Sequence, residues 1–182
     1  MRPSAINAQA IIWVLTLLLM MSAAWLDLRS RRIPNWLTVS GLLAGIAVHV
    51  WISSWHGALF AISGAGLALV LLLPLVLLRA LGAGDWKLMG AAGSLVGPLM
   101  LLFVLLASFL IAGVMGVVRM MKDHRVVATL KNMRDLVRGF ISFGLRPHPV
   151  ISLDNPELPK LPFGVAAAIG TIVCYAATRL VL

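Results

Sequence analysis

From Ala8 to Val118 the chain is apolar almost without interruption, and charged side chains enter at only two short places, Asp27 to Arg32 and Arg79 to Lys87. A helix needs roughly 20 mostly apolar residues to cross the hydrocarbon of a bilayer. Measured against that length, apolar runs fall at Ala8 to Leu26, Trp36 to Trp55, Ala58 to Leu78, Leu88 to Gly97, Leu99 to Val118 and Leu161 to Thr178. The pattern predicts an all-α integral membrane protein with about six transmembrane helices, the fourth of them short and joined to the fifth by a Gly97-Pro98 turn. Composition agrees: charged residues make up 12% of the chain and mean hydropathy is +1.01, whereas soluble domains are about 25% charged. Residues 1–182 therefore read as one membrane-embedded domain with no sizeable soluble core.

Lysine and arginine are retained on the cytoplasmic side of membrane proteins. With the N-terminus outside, every Lys and Arg except Arg2 and Arg179 lies in a cytoplasmic segment. The same threading puts Asp27 and Asp85 at the cytoplasmic face. The net charge of +9 then reflects this bias and attraction to anionic lipid headgroups, and it calls for no nucleic-acid partner. The first run, with Arg2 before it and Ser22-Ala23-Ala24 near its end, imitates a signal peptide. Its length and the arginines that follow it favour a retained span.

Outside the segment between Arg119 and Lys160, Asp27 and Asp85 are the only carboxylates. Asp27 stands in Trp25-Leu26-Asp27-Leu28-Arg29-Ser30-Arg31-Arg32-Ile33-Pro34-Asn35. One reading makes it an interfacial counter-charge to three arginines, with Asn35 capping the next helix. Against this, a carboxylate at a helix C-terminus faces the negative end of the macrodipole. Asp85 stands in Gly82-Ala83-Gly84-Asp85-Trp86-Lys87, where it is either an N-cap or an acid beside a glycine loop that lets a backbone approach closely. Two neighbouring carboxylates share a proton and titrate as a unit, a state suited to peptide hydrolysis: one activates water while the other protonates the substrate. On helix position alone, Asp27 is expected to hold the shared proton and Asp85, at an N-terminus near Lys87, to be the ionised base.

Taken together, Asp27 with Arg29 and Ile33-Pro34-Asn35, Gly82-Ala83-Gly84-Asp85 with Lys87, and Pro162-Phe163-Gly164 before the last span resemble the type IV prepilin peptidases, most closely the short Tad/Flp-type branch. The resemblance implies an aspartic endopeptidase of the bacterial inner membrane, with Asp27 and Asp85 as the catalytic pair. It implies supporting or substrate-binding roles for Gly82, Gly84, Lys87, Arg29, Pro34, Asn35, Pro162 and Gly164. The implied substrates are prepilins, cut on the cytoplasmic side between a short, basic leader ending in glycine and a hydrophobic helix, and the process served is pilus assembly. Longer members also N-methylate the new terminus and carry a cytoplasmic region with paired cysteines. Here the segment from Leu28 to Asn35 is minimal and Cys174 is the single cysteine, so peptidase activity alone is expected.

Residues 119–160 form a basic cytoplasmic loop between the fifth and sixth predicted spans. Within it, Val126, Leu130, Met133, Val137 and Phe140 recur at helical spacing over Lys122 to Phe143, which predicts an amphipathic helix on the lipid surface. The proline-rich stretch from Phe143 to Pro162 reads as irregular loop. His49 lies about 20 Å beyond Asn35 along a helix and is expected to hydrogen-bond within the bundle. Trp25, Trp36, Trp51, Trp55 and Trp86 lie near span ends, as an aromatic belt does, and Cys174 is a packing residue. One cysteine and two scattered loop histidines, His124 and His148, supply no metal site, and no cofactor is implied. Two other classes fit parts of the pattern. A presenilin-like protease, which also uses a Gly-x-Gly-Asp element, would cut inside a transmembrane helix. A proton-coupled transporter would need acids nearer the midplane or broken helices in repeated halves.

Overall fold

The computed structural model describes residues 5–122 and 162–181, all the long elements of which are helical. These are α1 (Ala5–Ser30), α2 (Asn35–Leu77), α3 (Ala83–Val96), α4 (Pro98–Lys122) and α5 (Phe163–Val181). The expected amphipathic helix and the proline-rich loop lie outside the described residues, apart from Lys122 and Pro162, which flank the gap.

Four of the helices, α1, α2, α4 and α5, are long and apolar enough to cross a membrane, against an expectation of six spans. Two physical features account for the difference. The second and third expected runs are the two arms of α2, which is broken by non-helical backbone at Ser53 and Ser54, the latter at φ 51°. The arms fold back on each other there: a side chain on Gly57 would strike the carbonyl of His49, eight residues earlier. The fourth run is α3, whose 14 residues rise only about 21 Å.

Small residues set how α3 sits. Every residue from Leu88 to Leu95 is buried, as expected of a helix that is covered on all sides. The first arm of α2 runs parallel to α3 and meets it through Gly41 against Ala91 and Gly45 against Ser94; the second arm runs antiparallel and meets it where Gly64 and Gly93 face each other backbone to backbone. Lipid-embedded helices gain little from burying apolar surface, so association relies on this kind of close van der Waals fit. The Trp86 indole N–H donates to the Leu69 carbonyl at 2.8 Å, so this tryptophan is an interhelical contact and not part of the expected belt. Trp25, Trp36, Trp51 and Trp55 are exposed.

The remaining helices close the bundle. Trp13 of α1 packs on Tyr175 of α5, with ring centroids 5.5 Å apart, and forms a small buried cluster with Val104 and Cys174. Gly170 of α5 sits against Ser108 of α4. At Gly97 the chain turns from α3 into α4 with φ 79°, and any side chain there would run into the Phe60 ring. As expected, His49 bonds within the bundle: its Nε2 lies 2.8 Å from the Leu95 carbonyl, which makes Nε2 the donor. These contacts gather the α2 break, Gly97 and His49 at one end of the bundle. The α1–α2 and α2–α3 turns and the start of α5 lie at the other.

Candidate active site

Both aspartates lie at that second end. Asp27 is in the last turn of α1 and only 9% exposed. The helix stops four residues on because Arg31 adopts a left-handed conformation at φ 50°, its N–H donating to the Asp27 carbonyl at 2.9 Å. Ile33 then precedes a proline and is steered toward extended backbone, which carries the chain to Pro34, the N-cap of α2 at φ −72° and ψ 145°. Asn35 is therefore not the cap. It is the first residue of α2, and its side-chain oxygen accepts a hydrogen bond from Lys87 Nζ at 3.0 Å.

Asp85 is reached through a second left-handed residue, Arg79 at φ 56°. There the Arg79 N–H donates to the Val76 carbonyl and the Ala80 N–H to the Leu75 carbonyl, which ends α2. Gly82 is the N-cap of α3, so Asp85 stands three residues into the helix and is not the cap itself. From that position it accepts a hydrogen bond from the Gly82 N–H, the acidic half of a capping box.

The glycines make room within the bundle. A Cβ on Gly82 would come 3.0 Å from Asp85 Oδ2, and one on Gly84 would come 3.2 Å from Ile33 Cβ. Close approach at Gly84 thus brings the α1–α2 turn against the start of α3. Pro162 opens α5, its carbonyl accepting the Val165 N–H at 3.2 Å. The Gly164 N–H donates to Asp27 Oδ2 at 2.9 Å, and a Cβ on Gly164 would lie 3.0 Å from that oxygen.

Electrostatics link the two carboxylates. Burial, and after it the negative charge of Asp27, push the Asp85 carboxyl up to about 7, against the smaller opposing effect of the Gly82 N–H. Asp85 therefore keeps its proton close to neutrality. The shift runs against the ionised role that helix position alone suggests for Asp85, an argument that overlooked its burial. Sequence reasoning also singled out Arg29, which is exposed in the last turn of α1. Ile33, the neighbour of Gly84, was read only as part of a motif. Among the described residues no three His, Cys, Asp or Glu side chains converge on a metal-sized site.

A buried acid beside a second, half-buried acid that stays protonated near neutrality can deliver one base and one acid to the same substrate group. The model of the type IV leader peptidase family matches residues 13–117, more than half of the chain and a stretch that contains both aspartates. The chain belongs to the type IV leader peptidase family. No curated protein and no solved structure matches it. Membership makes the molecule a membrane-embedded protease and leaves Pro162, Phe163 and Gly164 outside the matched stretch.

Proposed function

We propose that this leader peptidase removes the short basic leader from Flp-like type IV prepilins at the cytoplasmic face of the bacterial inner membrane, using Asp27 and Asp85 as its acid–base pair. What supports this reading is the packing of the α1–α2 turn against the start of α3 through Ile33 and Gly84, with Asp27 and Asp85 at the same end of the bundle. In this mechanism ionised Asp27 takes a proton from water as the water oxygen attacks the scissile carbonyl carbon, and Asp85 gives its proton to the carbonyl oxygen. The tetrahedral diol then collapses: Asp27 passes its proton to the departing amine nitrogen, the C–N bond breaks, and Asp85 recovers a proton from the diol. With a single cysteine, the chain lacks the paired cysteines of members that also methylate.

The same end of the bundle holds Arg29, Arg31, Arg32, Arg79 and Lys87, and α4 delivers Arg119 and Lys122 there. The positive-inside bias supports placing that end in the cytoplasm. Counting the arms of α2 separately and α3 as a short crossing shielded by them gives six passes, with both termini outside. Anionic lipid headgroups are the natural neighbours of this rim. A prepilin would present its leader boundary at this level with its hydrophobic helix in the bilayer.

The test is to reconstitute the protein with a co-encoded prepilin and follow leader removal by mass for the wild type, Asp27→Asn and Asp85→Asn. Loss of cleavage in both inserted, folded variants supports the pair. Full cleavage in either removes that residue from the mechanism. Cleavage mapped to the middle of a transmembrane helix instead of the leader boundary would favour a presenilin-like activity.

A further inference from the structure

We propose that the first turn of α5 is the positioning element for Asp27: the Gly164 N–H holds one carboxylate oxygen so that Asp27, and not Asp85, enters the reaction ionised. This rests on the acid–base reading above and adds to it a residue outside the matched stretch. Three observations carry it. The N–H groups of a helix's first turn have no partner within the helix, and that of Gly164 is aimed at Asp27 Oδ2 at 2.9 Å from a residue 137 positions away. The approach is tight, since a Cβ would come 3.0 Å from Oδ2 and 3.1 Å from the Asp27 Cβ, so that a side chain there would need the carboxylate to give by a few tenths of an ångström. The register between the two helices is fixed independently at the far end by Trp13 on Tyr175.

The geometry also answers the difficulty of a carboxylate in the last turn of a helix. The C-terminal end of α1 disfavours negative charge, and the N-terminal end of α5 favours it. The two helices pack antiparallel, so α5 brings its positive end to the negative end of α1 with Asp27 between them. Asp85 has no such outside support; its donor, Gly82, belongs to its own turn. Within the pair, the last helix thus acts on Asp27 while the turn that carries Asp85 acts on Asp85.

The sterically silent test replaces the Phe163–Gly164 amide by an ester, using glycolic acid at position 164, which removes the N–H and adds no atom beyond the exchange. Infrared titration of the full chain in liposomes reads the Asp27 carboxyl band, assigned by its loss in Asp27→Asn. The ester is expected to move the Asp27 midpoint to higher pH by about one unit, the effect of losing one hydrogen bond to a charged group. The acid limb of leader cleavage should move with it while KM stays unchanged. Gly164→Ala should shift in the same direction. Gly170→Ala, which presses α5 onto Ser108 away from the carboxylates, should lower the melting temperature and leave the midpoint in place. An ester variant that titrates as the wild type, or a Gly170→Ala shift as large as that of the ester, overturns the proposal. The infrared midpoint decides it even if no prepilin is cleaved, so failure of the functional reading and failure of this inference are separate results.

Discussion

The two aspartates are held in opposite ways. Asp85 is held locally, by the N-cap glycine of its own helix three residues before it; Asp27 is held by a helix that begins far along the chain, through the Gly164 N–H. A local anchor survives whatever the rest of the bundle does, because it forms with the helix itself. A remote anchor exists only when α1 and α5 have packed in register. One half of the site is therefore built by a motif and the other by the tertiary fold.

The largest test of this contrast is loss of either carboxylate. Asp27→Asn and Asp85→Asn should each lower leader cleavage by about 10³-fold or more, in keeping with the contribution of a positioned acid or base, as measured by mass in proteoliposomes. Equal losses would show that the remote anchor and the local one serve groups of equal weight. Next in size, Gly84→Val pushes the α1–α2 turn away from α3, because its side chain meets Ile33. A displacement of about 1 Å costs up to about 10²-fold, so kcat should fall 10- to 100-fold while the melting temperature changes little.

The pH dependence follows from Asp85. With its carboxyl at about 7, the proton it donates is present below neutrality and lost above. Cleavage by the wild type should fall as pH rises through about 7, and in a profile of kcat/KM that limb should vanish for an Asp85 variant with residual activity. The linked stability has the same sign. Between the ordinary value of 3.8 and about 7 the folded chain binds a proton that the unfolded chain does not, so folding stability should decline as pH rises across that window. Urea or thermal melts at pH 4 and pH 8 would check it.

The smallest effect is expected at the turn contact between the two halves. Lys87→Met removes the hydrogen bond to Asn35 and should slow cleavage two- to tenfold. Asn35→Ala should do the same, and the double variant should be no worse than either single one if the two side chains act through each other. Additive losses would mean that they serve different partners.

The sequence made the locally built half legible and left the other half hidden. Apolar run length located α1, α4, α5 and the two arms of α2, and Gly97-Pro98 marked the α3–α4 turn, because these depend on neighbours along the chain. Gly82 and Gly84 were legible as close-approach glycines. What they approach was not, since Ile33 is brought there by a turn that begins with a left-handed arginine, a conformation that nothing in the residue type announces. Trp86 read as a belt residue because its position near a span end is the same whether it faces lipid or Leu69. The bond between Gly164 and Asp27 had no signal beyond the glycine itself: the distance along the chain conceals which helix end will face which. The proton affinity of Asp85 was hidden for the same reason, as it was argued from the helix alone.

The remote anchor also sets an order of events during synthesis. Asp27 and Asp85 leave the ribosome long before Gly164, so a partly inserted chain carries both acids without the donor that holds the first. On the proposed mechanism such a chain is not yet a poised protease, and Asp27 gains its donor when α5 enters the bundle.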